Sequence, residues 1–355
     1  MKSVFITSRG GTHPIHRKYA DSINADFQFV DFCLRWHDVK VPKWKKYASW
    51  VLCALIFPEK KNYDLFLVSG QHVMPVLMRI LKRISRKQKL VCFHANEALY
   101  FIHSKKYKKL NRIFLRWILR QYDFHICVGE MQSSILRQLL KKEEVIYTIE
   151  NGIPDEQLQR LLSLNPNLNS RKFLFIGNLY AGWRSWYKGV DLLIKGFLNF
   201  LQKSNNQNYT LNILGSYDKI FIESLINDIP GQFKNNICFL GAKTNVDEYL
   251  LESELYIHMG RGDAFPTATL EAFATGLPTI LSTWTGTHFI IDDIDGNFVV
   301  EPKEEALSNA IFNYTNMTKS RRYDISKKLK IRMKDYSESH HVEVFKNTIY
   351  KIMNR

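Results

Sequence analysis

In the stretch DAFPTATLEAFATG (263–276), two carboxylates, Asp263 and Glu271, stand eight positions apart across a Phe265-Pro266 break. Good helix formers follow the proline as far as Gly276, so Pro266 and Thr267 are expected near a helix start, with Glu271 about a turn inside. Asp263 then lies on the preceding loop. Carboxylates placed this way can accept hydrogen bonds from hydroxyls on two parts of one ligand. Two acids near a helix start also complement the helix dipole, which is the commoner use of an isolated pair. In FLFIGNLYAGWRSWYKGVDLLIKGF (173–197), Lys188-Gly189 opens an amphipathic helix. A lysine beside free helix N-terminal amides suits a phosphate, and a solvated surface equally well.

Such residues need strands and helices to hold them. Short apolar runs recur along the chain: SVFIT before a Gly-Gly turn, then DLFLVSG (64–70), KLVCFHA (89–95), FHICVG (124–129) and VIYTIENG (145–152). Helical spacing separates the last three, the alternation of a parallel α/β sheet. LLSLNPNLNSRK (161–172) reads as a linker, and the pattern restarts with FLFIGNL (173–179), TLNILGS (210–216), NICFLGA (236–242), ELYIHMG (254–260), PTILST (278–283) and NFVVEP (297–302). The fold class is therefore α/β, with two doubly wound domains expected over 1–168 and 169–335 and ligand at the carboxyl ends of the strands.

The chain has 355 residues, 45% hydrophobic and 24% charged, enough for two ordinary cores. Its five cysteines (33, 53, 92, 127, 238) show no C-x-x-C spacing, so they read as reduced residues, and a cytosolic compartment is expected. MKSVFITSRGG has too short an apolar run for a signal peptide. The apolar run ASWVLCALIF (48–57) spans about 15 Å as a helix against roughly 30 Å of bilayer core. Charge is unevenly divided: residues 1–168 hold 28 of the 50 Lys+Arg and 14 of the 34 Asp+Glu, net +14, leaving +2 for the rest. One half is thus suited to a polyanion.

The ordered set DAFPTATLEAFATGLPTI, FIGNL with KGVDLLIKGF, IENGIP, LNILGS, ICFLGA and DGNFVVEP resembles the GT4-type retaining glycosyltransferases of GT-B fold, over most of residues 124–310. By that resemblance Glu271 accepts both ribose hydroxyls of a sugar nucleotide and Asp263 contacts the donor sugar. The backbone from Phe265, through Pro266 and Thr267, to Ala268 faces the sugar and distal phosphate. Lys188 neutralises the diphosphate, Gly10 and Gly11 form the first domain's phosphate or acceptor loop, and His94 lies near the donor sugar. The sequence departs from the pattern at Asp263, one methylene shorter than the usual Glu; at Asn178, where an arginine is common, so that Arg184 is expected to assist Lys188; and at Phe289, where a glutamate is common.

The chemistry implied is departure of a nucleoside diphosphate with same-face delivery of the acceptor, without a metal or other cofactor. UDP is the expected nucleotide and GDP the next. DDID (292–295) is read as a turn rather than a metal site, and residues 336–355 as a helix that in this family crosses back to the first domain.

Basic residues dominate SKKYKKLNRIFLRWILRQY (104–122), where Lys105, Lys106, Lys108, Lys109, Arg112, Arg116 and Arg120 occur without an acid, among aromatics such as Trp117. That pattern suits an anionic membrane headgroup layer and places a lipid-linked or glycan acceptor beside the first domain. The bland alternative packs the apolar residues into the core. No nucleic-acid module is recognisable, so nucleic acid is not an expected partner. The expectation is a cytoplasmic transferase on the inner face of the cell membrane, serving cell-surface polysaccharide or glycolipid synthesis. The alternatives are a non-catalytic nucleotide-sugar or lipid-binding subunit and a sugar-nucleotide epimerase or hydrolase of the same fold.

Overall fold

The computed structural model describes residues 1–8, 13–30, 41–56, 62–70, 72–180, 183–204 and 208–355. They form two compact units, one of residues 1–151 and 338–355, the other of residues 152–337.

The first unit carries six parallel strands: β1 (Ser3–Thr7), β2 (Asp26–Phe29), β3 (Leu65–Ser69), β4 (Lys89–His94), β5 (Phe124–Cys127) and β6 (Ile146–Thr148). They lie in the order β2-β1-β3-β4-β5-β6. Its helices are α1 (Pro14–Ser22), α2 (Lys43–Ile56), α3 (Met74–Ile80), α4 (Ala98–His103), α5 (Lys109–Leu119) and α6 (Glu130–Leu140). Strand residues Val4, Phe5, Ile6, Leu67, Val91, Cys92 and Phe93 are fully buried. That is why these runs read as continuous apolar sequence instead of alternating: both faces of a parallel sheet are covered.

The second unit begins with α7 (Asp155–Ser163), β7 (Lys172–Ile176), α8 (Trp183–Lys188), α9 (Val190–Lys203), β8 (Thr210–Leu214), α10 (Lys219–Asn227), β9 (Ile237–Gly241) and α11 (Val246–Leu251). It continues with β10 (Leu255–His258), β11 (Arg261–Asp263), α12 (Thr267–Thr275), β12 (Thr279–Ser282), β13 (Trp284–Thr285), α13 (His288–Asp292), β14 (Val299–Val300), α14 (Glu304–Thr315) and α15 (Lys319–Met333). The main sheet runs β14-β12-β10-β7-β8-β9, all parallel, and β11 pairs with β13 in a small separate ribbon. This is the doubly wound order, and its direction reverses between β7 and β10. The last helix, α16 (Glu338–Met353), belongs to the first unit, where Phe345 stacks on Tyr19 of α1 at 4.3 Å.

The boundary differs from the expected 168/169. Residues 152–171, read partly as a linker, are bound into the second unit by their backbone. Asn167 N–H donates to the Leu251 carbonyl at 2.7 Å, Arg322 Nη1 donates to the Leu168 carbonyl at 3.0 Å, and Lys330 Nζ donates to the Leu162 carbonyl at 3.1 Å. A polar, proline-containing stretch looks like a linker because its partners lie far away in sequence. The DDID turn is held in the same way. Asp295 caps the short turn at Gly296–Phe298 and pairs with Arg321, while Asp293 faces Arg332 at 3.6 Å.

Arg322 is the centre of that attachment. Buried between α14 and the start of β7, it donates to the carbonyls of Leu168 and Thr315, covers the Tyr314 ring at 4.5 Å and faces the buried Glu254 carboxylate at 3.6 Å. Burial raises the Glu254 carboxyl, while the Arg171 amide and Arg322 oppose the shift. Replacing Arg322 by methionine leaves a buried acid facing apolar side chains. Urea unfolding of Arg322→Met should show a loss of about 3–5 kcal/mol, whereas Lys330→Met, at a more open position, should lose about 1 kcal/mol or less.

Candidate functional site

The expected donor-side residues come together at the carboxyl ends of β7 and β10, where the second sheet reverses direction. After β7 the chain turns through Gly177 and Asn178, and after β10 it turns through Met259 and Gly260 into β11. Lys188 ends α8, and Gly189 begins the next helix in the left-handed region at φ +72°. A Cβ on Gly189 would stand 1.7 Å from the Met259 carbonyl oxygen, so only glycine lets α9 start against the end of β10. Gly177 serves the lysine similarly: a Cβ there would meet the Phe175 ring at 2.9 Å and Lys188 Nζ at 3.3 Å.

Asp263 is buried at the end of β11. Its Oδ2 accepts from His258 Nε2 at 3.1 Å and lies 3.9 Å from Lys188 Nζ. Burial would raise this carboxyl, but Lys188 and the His258 hydrogen bond outweigh it and hold it below the usual aspartate value. Burial also lowers the imidazole of His258 against the opposing pull of Asp263. The pair at neutral pH is thus a neutral imidazole donating to a carboxylate.

The loop between them is pinned from outside by Arg261. Its guanidinium binds Asp191 of α9 through two bonds of 2.7 Å, donates to the Trp186 carbonyl at 2.7 Å and lies over the Trp186 ring at 5.1 Å. The same contacts hold the helix that ends in Lys188.

α12 starts at Thr267 with Pro266 as its N-cap and no side chain capping it. Its first amides have no side-chain acceptor among the described residues, and the positive end of the helix follows the loop that carries Asp263. Phe265 is buried and Thr267 and Ala268 are half-buried. One turn on, Glu271 accepts from Gln157 Nε2 of α7 at 2.8 Å. Burial raises the Glu271 carboxyl, opposed by Gln157 and by the nearby Arg160. The two acids of the opening motif thus sit in opposite electrostatic settings.

Other expected site residues are placed differently. Gly10, Gly11 and the Arg184 side chain lie outside the described residues. Asn178 turns its side-chain oxygen to the Ser216 amide at 3.1 Å, so it ties two strand-end loops together. Phe289 falls in the first turn of α13 and is half-buried. His94, expected near a donor sugar, is fully buried at the end of β4. Its Nε2 is 3.0 Å from His125 Nδ1 and its Nδ1 is 3.9 Å from Cys92 Sγ, so both ring nitrogens are engaged inside the sheet. Burial and the neighbouring His125 push the His94 imidazole well down. As placed, both of its nitrogens lie against protein atoms of the sheet. Cys92, His94 and His125 each bring one ligand atom within 4.8 Å of the others, and this group belongs to the first unit's interior.

The basic segment is also more divided than its sequence pattern. Lys105 and Lys106 lie in the turn after α4, Lys108 is the N-cap of α5, Lys109 its first residue and Arg120 its C-cap. Arg112 and Arg116 are half-buried, and Arg116 donates to the Leu139 carbonyl at 3.2 Å. The outward stripe of α5 is apolar: Leu110, Ile113 and Trp117 are exposed. Phe57, Lys60 and Lys61 lie outside the described residues.

His258, Gln157 and Arg261 escaped sequence reasoning. His258 sits in an apolar strand run, and Gln157 is 114 positions from the acid it meets. A usable signal was present for His258: a lone polar residue at the end of a buried strand, two positions before Gly260.

The family model described as Glycosyltransferase Family 4 matches residues 6–157, and that described as Glycosyl transferases group 1 matches residues 170–316. Protein CapJ of Staphylococcus aureus is 22% identical, over 76% of this chain and 69% of its own. Lipopolysaccharide glucosyltransferase WaaG of Escherichia coli K12 is 26% identical over 47% of this chain and 39% of its own. Among solved structures, sucrose-phosphate synthase of Thermosynechococcus elongatus superposes with a TM-score of 0.72 at 15% identity, covering 99% of both chains. Anabaena Alr3699/HepE in complex with UDP gives 0.66 at 15% identity, covering 100% of both. Two doubly wound units, the strand-end site and the two matching models lead to one conclusion: the chain belongs to the family 4 glycosyltransferases of GT-B type.

Proposed function

We propose that this protein transfers a sugar, with retention of configuration, from a UDP-sugar to a lipid-linked or glycan acceptor in polysaccharide or glycolipid synthesis at an anionic membrane surface. The observation that carries the donor half is the grouping of Lys188, the ionised Asp263 and the uncapped start of α12, with Glu271 one turn further on. In this reading Lys188 and the amides of Thr267 and Ala268 receive the diphosphate charge that develops as the sugar leaves. Asp263 takes a donor-sugar hydroxyl, and Glu271 exchanges Gln157 for the ribose hydroxyls. No metal cofactor enters the reading. Solved structures that hold UDP support the choice of nucleotide, and likeness to the lipopolysaccharide glucosyltransferase WaaG supports a glycolipid acceptor.

The membrane half rests on the first unit's surface. α2 contains no acid, and it exposes Trp44, Tyr47, Val51, Leu52, Leu55 and Ile56 beside Lys43 and Lys45. Trp50 of α2 stacks on Phe114 of α5 at 6.4 Å, which brings the exposed Leu110, Ile113 and Trp117 of α5 into the same region. No helix among the described residues is long and apolar enough to cross a membrane. Apolar side chains rimmed by lysines fit the headgroup boundary of an anionic membrane, and in this reading attachment is peripheral, on the cytoplasmic face.

Calorimetry with UDP, GDP, ADP and their sugar conjugates tests the donor half. One nucleotide should bind selectively, and Glu271→Ala should weaken it by about 1.5–3 kcal/mol; a folded wild type that binds none of them contradicts the reading. Ribose hydroxyls donate to the ionised carboxylate, and burial raises the Glu271 carboxyl. Affinity should therefore hold near neutral pH and fall on acidification sooner than an ordinary glutamate would allow, with the fall absent in Glu271→Gln. For the membrane half, sedimentation with phosphatidylglycerol-containing vesicles should show salt-sensitive binding. Each Lys→Gln change at Lys105, Lys108 or Lys109 should cost about 1 kcal/mol, and equal binding to neutral vesicles would contradict the electrostatic part.

A further inference from the structure

His258 and Asp263 are five positions apart, and the chain between them doubles back so that the carboxylate returns to the strand end it has just left. Two glycines make this possible. Gly262 takes φ +106°, and a Cβ on Gly260 would press on Thr285 Oγ1 at 2.8 Å, Asp263 Cβ at 3.3 Å and His258 Cδ2 at 3.4 Å. The return is anchored where Gly286 N–H donates to the Asp263 carbonyl at 2.8 Å.

The imidazole is held firmly. Its ring is fully buried, 5.4 Å from the Phe175 ring and stacked 6.5 Å from Tyr256, while Thr285 Oγ1 donates to the His258 carbonyl at 3.2 Å. Nδ1 is buried without a hydrogen-bond partner among the described residues, so the ring's one polar engagement is Nε2–H to Asp263 Oδ2. Lys188 Nζ faces the same oxygen. Oδ1 makes no hydrogen bond among the described residues.

We infer that His258 is a positioning residue for the donor-sugar carboxylate: by fixing Oδ2, it presents Oδ1 to a sugar hydroxyl and leaves Lys188 directed to the diphosphate. The inference rests on the donor-site reading given above and adds a residue to it. It also explains how a side chain one methylene shorter than glutamate serves this position. A free aspartate would sample rotamers, whereas this one is held in a single orientation by a buried ring.

UDP alone separates the two claims, because it carries no sugar. Binding of UDP, UDP-glucose, UDP-galactose and UDP-N-acetylglucosamine is measured with wild type, His258→Leu and His258→Gln. The glutamine amide can place an N–H where Nε2–H stands, and leucine cannot. The expected result is UDP affinity within about threefold in all three proteins, the preferred UDP-sugar weakened about tenfold or more in His258→Leu, and most of that loss recovered in His258→Gln. Nitrogen-15 histidine spectra of wild type should show His258 protonated at Nε2 with a bare Nδ1. Wild type that binds neither UDP nor another nucleotide removes the donor site and this inference together. Wild type that binds UDP while His258→Leu keeps its full preference for the UDP-sugar overturns the positioning role alone. So does parallel loss of UDP and UDP-sugar binding with a lowered melting temperature, no recovery in His258→Gln, or protonation at Nδ1.

Discussion

A parallel sheet covered by helices on both faces has little room for polar chemistry along its strands, so polar groups gather at the strand ends. That constraint orders everything described for the second unit. Its strands are filled with buried phenylalanine, leucine and isoleucine, and its acids, lysine and open helix start gather beyond the carboxyl ends of β7 and β10. The glycines there allow close backbone approach: Gly189 touches the end of β10, and Gly177 leaves space for the head of Lys188. Arg261 then locks the approach by clamping α9 and the carbonyl of Trp186 to the loop that carries Asp263.

The two carboxylates of the site show how position decides charge. Both are largely withdrawn from water, which favours the neutral form of an acid. Asp263 has Lys188 and a histidine N–H beside it and stays ionised, whereas Glu271 has mainly an amide from Gln157 and is shifted upward. The first is thus held as an anion, and the second meets an amide donor, Gln157, at 2.8 Å. The charge of the site is thus fixed at one acid and left adjustable at the other.

Much of this was legible in the chain. The apolar runs fell on the strands because buried parallel strands are continuous in hydrophobicity, and the proline and glycine that bracket 266–276 marked the start and end of α12. Three things were hidden for a common reason: each depends on partners distant in sequence. The stretch at 161–172 is polar enough to look like a connector, but Arg322 and Lys330 fasten it to the second unit. The histidine of the LVCFH run looked available until the neighbouring strand brought His125 against it. Glu271 looked unengaged because Gln157 gives no local sign of its target. Local pattern records which elements form; it does not record which polar atoms they spend on one another.

The second unit is one continuous piece of chain inserted into the first, and its entry and exit lie side by side, with Ile153 N–H donating to the Tyr336 carbonyl at 2.8 Å. This arrangement imposes an order on biosynthesis. The inserted unit is complete once residue 337 has emerged from the ribosome, whereas the unit begun earlier still lacks α16 and leaves Tyr19 without its stacking partner Phe345. The later-made half can therefore finish folding before the earlier-made one, whose Tyr19 face stays open until the last helix is made.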